Sequence, residues 1–129
     1  MTGGLTAKVG TKLHTRLNVN KVIRDGKVAV LVSPGFGAGW STWAYAGDEN
    51  YRECMDFMLF DPTLVGMVER GESAEAIESY VTAIHPHTYC GGAVDLTIFW
   101  LPVGTAFRIH EYDGSESVEI RDEMNWTIA

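Results

Sequence analysis

"DLTIFWLPVGTAFRIHEYDGSESVEIRD", residues Asp95 to Asp122, decides the fold class. Three runs rich in β-branched and aromatic residues follow one another: Asp95–Pro102, Thr105–Tyr112 and Glu116–Asp122. Such residues fit the pleated, half-buried surface of a sheet. Pro102-Val103-Gly104 and Asp113-Gly114-Ser115 separate the runs with turn chemistry. A strand and turn every eight to twelve residues or so is the rhythm of a small barrel or sandwich.

The N-terminal part agrees. "TKLHTRLNVNKVI" alternates apolar and polar residues, "KVAVLVS" is β-branched, and Asp25-Gly26 lies between them. That dipeptide is a strong two-residue turn signal, so a hairpin is predicted over residues 11–33. Thr42-Trp43-Ala44-Tyr45 reads as a short strand.

Between the two strand-forming parts the period changes. "YRECMDFMLF" puts Tyr51, Cys54, Met55, Met58 and Leu59 on one helical stripe. A small barrel would leave that stripe partly uncovered, and uncovered apolar patches mark association surfaces. Asp61-Pro62 reads as an N-cap and first turn, with Gly71 as the stop. Ser73 caps "AEAIESYVTAI", whose acids lie early, where the helix dipole favours them. The expected architecture is one domain over residues 1–129, mainly β with inserted helices (α+β). The acidic helical insertion covers about 50–85.

The chain has 129 residues and a net charge of −7, distributed unevenly. Residues 1–47 carry Lys8, Lys12, Arg16, Lys21, Arg24 and Lys27 against Asp25 alone. Residues 48–78 are strongly acidic, with only Arg52 and Arg70 as cations. Such a chain repels long nucleic acids, whose binding depends on many phosphate neutralisations, yet it can hold a small anion at a local cationic point. No apolar run reaches the ~20 residues that span a bilayer. The start, "MTGGLTAKVGTKLH", lacks an apolar signal core, and Cys54 and Cys90 make no disulfide framework. A reducing cytoplasm is therefore expected.

Chemistry-bearing residues are sparse. "VSPGFGAGWSTWAYAGDEN", Val32 to Asn50, alternates glycines with Phe36 and Trp40 and adds Trp43. It has neither the spacing of a dinucleotide fingerprint nor the Gly-Lys-Ser/Thr of a phosphate loop. It reads either as a tight barrel corner or as the wall of a small-molecule pocket. His85-Pro86-His87 with Cys90 resembles a metal cluster but falls short of a scaffolded ligand set, so no metal and no cofactor are expected. Glu111, Asp113 and Glu116 close a hairpin, where acids are usually solvated. Arg24 and Arg108 are either phosphate forks or surface arginines paired with acids.

"DGKVAVLVSPGFGAGWSTW", "LFDPTLVGMVERG" and "GGAVDLTIFWLPVGTAFRIHEYDGSE", in that order, resemble the type one Thoeris anti-defence proteins of phages. The resemblance covers roughly residues 10 to 120. It implies a decorated Greek-key β-barrel with short helices between strands, assembled as a homodimer and in some members as a hexamer. It implies a non-catalytic sponge for cyclic ADP-ribose isomers made by TIR enzymes, in some members also for CBASS cyclic oligonucleotides, in the cytoplasm of the infected host. Carried onto this chain, it nominates Arg24 and Arg108 for phosphates and Tyr89 and Asp95 for the adenine. Phe36, Trp40 and Trp43 line or shape the site. A structural, carbohydrate-binding or protein-interaction module is the alternative, and a metal-dependent hydrolase on His85, His87 and Cys90 is a third reading.

Overall fold

The computed structural model describes residues 20–36, 39–45, 51–123 and 127–129. Its centre is a three-stranded antiparallel sheet in the order β1 (Ile23–Arg24), β2 (Lys27–Val32), β3 (Thr97–Pro102). A separate antiparallel hairpin pairs β4 (Phe107–Tyr112) with β5 (Ser115–Ile120). Three helices lie between β2 and β3: α1 (Tyr51–Phe60), α2 (Pro62–Glu69) and α3 (Ala74–Ile84). The fold is thus α+β with two antiparallel sheets, and the described residues do not close into a barrel.

β2 explains the layering. Val28 to Val32 are all buried, so this strand has no solvent face. A continuous apolar strand must be covered on both sides, and each large side chain so buried contributes roughly 1.5–3 kcal/mol. On one side Ala29 and Leu31 join Trp40, Cys54, Met58, Leu64, Val65, Ile77 and Val81 from the helical layer. On the other, Val28, Val30, Val32 and Leu101 meet Leu59, Phe60 and the inward residues Phe107, Ile109, Val118 and Ile120 of the hairpin. The sheet lies between helices and hairpin. Met58 and Leu59 are consumed by these cores, which overturns the α1 stripe as an association surface; only Tyr51 at its start stays exposed.

Local chemistry sets most boundaries. Asp25 and Gly26 both take positive φ, the conformation a two-residue hairpin turn needs. The turn joins β1 to β2, with Ile23 opposite Val28; the rest of the expected first strand, residues 11–19, lies outside the described residues. Asp61 caps α2, its Oδ2 accepting from Leu64 N at 3.1 Å. Gly71, at φ 69°, ends the helix, and Glu72 N reaches back to Met67 O at 3.0 Å. Ser73 caps α3 through Ala76 N at 3.1 Å.

One expected strand is absent. Ser41–Trp43 is a turn of 3-10 helix and Ala44 and Tyr45 are irregular. The reason is Glu116, which is buried and not solvated as a hairpin-end acid would be. Its Oε2 accepts from Trp40 N (2.7 Å), Thr42 N (3.1 Å) and Thr42 Oγ1 (2.5 Å), and its Oε1 from Ser33 N (3.1 Å). Two amides only two residues apart reach one oxygen by curling, which a strand cannot do.

Candidate functional site

A cleft of about 670 Å³ opens between α1, the start of β4 and the Ser41–Trp43 turn. Phe60 and Phe107 form part of its wall, with ring centroids 6.4 Å apart and planes at 89°. Lys21 Nζ sits 4.8 Å above the Phe60 ring, an arrangement in which the ring face attracts the cation. Arg52 from α1 and Arg108 from β4 also line it. Arg108 Nε donates to Glu119 Oε1 at 2.7 Å, its directly opposite neighbour on β5, while its side chain remains 65% exposed. That bond engages the Nε edge of the fork. Buried Asp56, with Ser41, Thr42 and Thr105, completes the polar lining. Among the described lining residues three are cations and one, Asp56, is a carboxylate, with Glu119 bonded to Arg108 beside them, in a chain whose net charge is −7.

Of the residues nominated from sequence, only Arg108 lies here. Arg24 stands elsewhere, bidentate to Glu69 (2.5 and 2.9 Å) and 5.5 Å from the Trp100 ring centroid. The hydrogen bond from Arg24, with its charge, holds the Glu69 carboxyl below its ordinary value of 4.5. Arg24 therefore reads as a surface arginine paired with an acid. Trp40 is completely buried, its Nε1 donating to Met58 O at 2.6 Å, so it is core and cannot touch a ligand.

The other nominees lie on the glycine-rich loop and on the segment after α3, and of these Trp43 and Tyr89 are in contact. Trp43 and Tyr89 pack with centroids 5.1 Å apart and planes at 52°. The Trp43 ring lies against Gly39, the Tyr89 hydroxyl against Gly91, and the Asp95 carboxylate against Gly35; a Cβ on any of these glycines would clash. Phe36 is 74% exposed nearby in sequence. The glycines thus serve close approach between loops: at Gly92 a Cβ would strike the carbonyl oxygen of Gly39 itself. The stretch is therefore both: its glycines make a corner, while Ser41 and Thr42 line the cleft and Pro34 and Gly35 border, with Asp95, an open hollow of about 450 Å³.

Among the described residues no group of three His, Cys, Asp or Glu is arranged to hold a metal. His85 packs edge-on against Phe57, centroids 5.0 Å apart. Burial raises both the Cys54 and Cys90 thiols above their ordinary 9.0. No described helix is long and apolar enough to cross a membrane.

Sequence reasoning missed Lys21, Arg52, Phe60, Phe107, Thr42 and Asp56 as neighbours. Arg52 was visible as one of two cations in an acidic segment. Its convergence with Lys21 and Arg108 depends on how α1 packs over the hairpin, which no local pattern encodes. Comparison with protein-family models, curated proteins and solved structures finds no match for this chain.

Proposed function

We propose that this chain is a non-catalytic binder that sequesters a small, phosphate-bearing nucleotide signal in the cleft beside Arg108. The observation that carries the reading is the meeting of Lys21, Arg52 and Arg108 around one cavity of an acidic protein. An anion leaving water needs such local positive charge to offset its desolvation. The volume lies within the range of small-molecule sites, about 300–1,000 Å³. Phe60, Phe107 and Tyr51 supply aromatic surface against which a base can pack, and Asp56 supplies an acceptor.

The sequence resemblance to the type one Thoeris anti-defence proteins supplies the signal class, cyclic ADP-ribose isomers. It also supplies the rest of the proposal: closure of the two sheets into a Greek-key barrel, a homodimer or hexamer, and action in the infected bacterial cytoplasm. A sponge must outcompete the effector, so nanomolar affinity, about −12 kcal/mol, is expected. A second reading, an interaction module, is favoured by the exposed aromatics Phe36, Trp43 and Tyr89. Incubation with cyclic ADP-ribose isomers, removal of free ligand and heating separates the two. Release of intact signal supports the sponge, and no retention supports the module. A converted product would overturn the non-catalytic reading.

A further inference from the structure

Among the described residues no cation pairs with the carboxylate of Glu116. Its residue is 2% exposed and its described partners are three backbone N–H groups and one hydroxyl. The described ion pairs involve Arg24, Arg70, Arg108 and Arg121, each with another acid. Successive N–H groups aimed at one point make an anion-binding concavity of the kind that glycine-rich loops offer to phosphates. Here the N–H groups of Ser33, Trp40 and Thr42 are not successive, but they converge to make a comparable nest, filled from within by a side chain 74 to 83 residues away.

The same contact reaches the cleft. Glu116 does not line it, but Ser41 and Thr42 do. Oε2 holds the amides on either side of Ser41, at Trp40 and Thr42, and takes the Thr42 hydroxyl proton. A hydroxyl has one proton to give, so toward a ligand Thr42 can only accept. We propose that Glu116 is a positioning residue: its charge holds the Ser41–Thr42 wall in place and fixes the Thr42 hydroxyl as an acceptor. This rests on the cleft being the ligand site, and it adds that the site should prefer ligands presenting an N–H or O–H donor there.

Two variants test it. Glu116→Ala leaves the nest empty, while Glu116 N still donates to Ser33 O at 2.9 Å, so the hairpin keeps its backbone tie. Glu116→Gln keeps the shape but has only one acceptor oxygen. With that oxygen in the place of Oε2, its amino group faces the Ser33 N–H, donor against donor. Should the alanine variant fail to fold, the glutamine variant carries the same test. The readouts are amide exchange at Ser33, Trp40 and Thr42, and calorimetric affinity for a cyclic ADP-ribose isomer.

Glu116→Ala should lose protection at these amides and about tenfold or more in affinity, the scale of charge-assisted hydrogen bonds. High sodium formate, which returns a carboxylate to the nest, should restore both in part, and sodium chloride of equal ionic strength should not. Glu116→Gln should fall between wild type and alanine in exchange and in affinity. Unchanged exchange in both variants, or no difference between formate and chloride, overturns the nest. Lost protection with unchanged affinity overturns the positioning role. A wild-type chain that binds no signal, while formate still restores protection, removes the cleft reading and with it the positioning role, yet upholds the filled nest.

Discussion

Gly92→Ala should be among the most damaging single-methyl additions in this chain, and Gly35→Ala should be mild by comparison. At both positions an added Cβ falls inside 3.0 Å of existing atoms, so the local clash alone does not rank them. What differs is what must move. At Gly35 the obstacle is the side chain of Asp95, an exposed residue that can rotate into solvent. At Gly92 the obstacles are the Gly39 carbonyl and Ser33 Oγ, the latter at 2.9 Å, in a buried junction. Ser33 Oγ also donates to Gly92 O at 2.8 Å, and that bond is lost if the two loops part. Overpacking of this kind costs roughly 1–3 kcal/mol, and the hydrogen bond adds roughly 0.5–1.5. The expected destabilisation is therefore about 2–4 kcal/mol for Gly92→Ala and under about 1 for Gly35→Ala. For a chain of this size each kcal/mol lowers the melting temperature by roughly 3–5 °C. Urea unfolding followed by tryptophan fluorescence gives both values on one instrument. Equal losses in the two variants, or a Gly92→Ala midpoint at the wild-type value, would refute the account of the glycine loop.

Further outcomes are expected elsewhere. Arg108→Glu should lower signal affinity by at least ten- to a hundredfold, whereas Arg24→Glu should leave it unchanged, since Arg24 faces Glu69 and Trp100. Calorimetry checks both, and equal losses would place the ligand away from the cleft. Trp40→Phe should cost about 2–3 kcal/mol in chemical denaturation, through the lost Nε1–Met58 bond and the void left beside it. Cys54 and Cys90, both raised by burial, keep their protons longer in the folded than in the unfolded chain. Their contribution to stability is full below pH 9 and is lost as pH rises through the folded values. Native protein should therefore react slowly with iodoacetamide at neutral pH, and a stability curve that climbs above pH 9 would contradict the sign.

What was legible in the sequence was local. Asp25-Gly26, Asp61-Pro62, Gly71 and Ser73 each announce a turn, cap or stop with their own backbone chemistry, and each does that in the structure. The β2 run announced a strand through its β-branched residues; that both its faces are covered is seen only in the structure. The Ser41–Trp43 turn was not legible, because its shape is imposed by Glu116 and local propensity favours extension. Nor was Glu116 itself. Beside an Asp-Gly turn an acid reads as solvated, and only the docking of β5 against Ser33 buries it. The cleft was half legible. Arg108 was legible as a candidate phosphate fork, but Lys21 and Arg52 lie 87 and 56 residues from it in sequence and meet it only through packing.

The Glu116 clasp also bears on the order in which the chain assembles. Its partners are separated by 74 to 83 residues, so closing it requires most of the chain to be gathered first. Loop-closure entropy makes such contacts late and slow relative to helix or hairpin formation. The glycine loop should then be unformed in the folding transition state, while α3 and the β4–β5 turn are largely in place. Glu116→Gln would accordingly speed unfolding far more than it slows refolding, a φ-value near zero. Trp40, buried beside the clasp, offers a native fluorophore for stopped-flow measurement of both limbs. A φ-value near one would mean that the loop and the distant carboxylate find each other early, and that this long-range contact nucleates the fold.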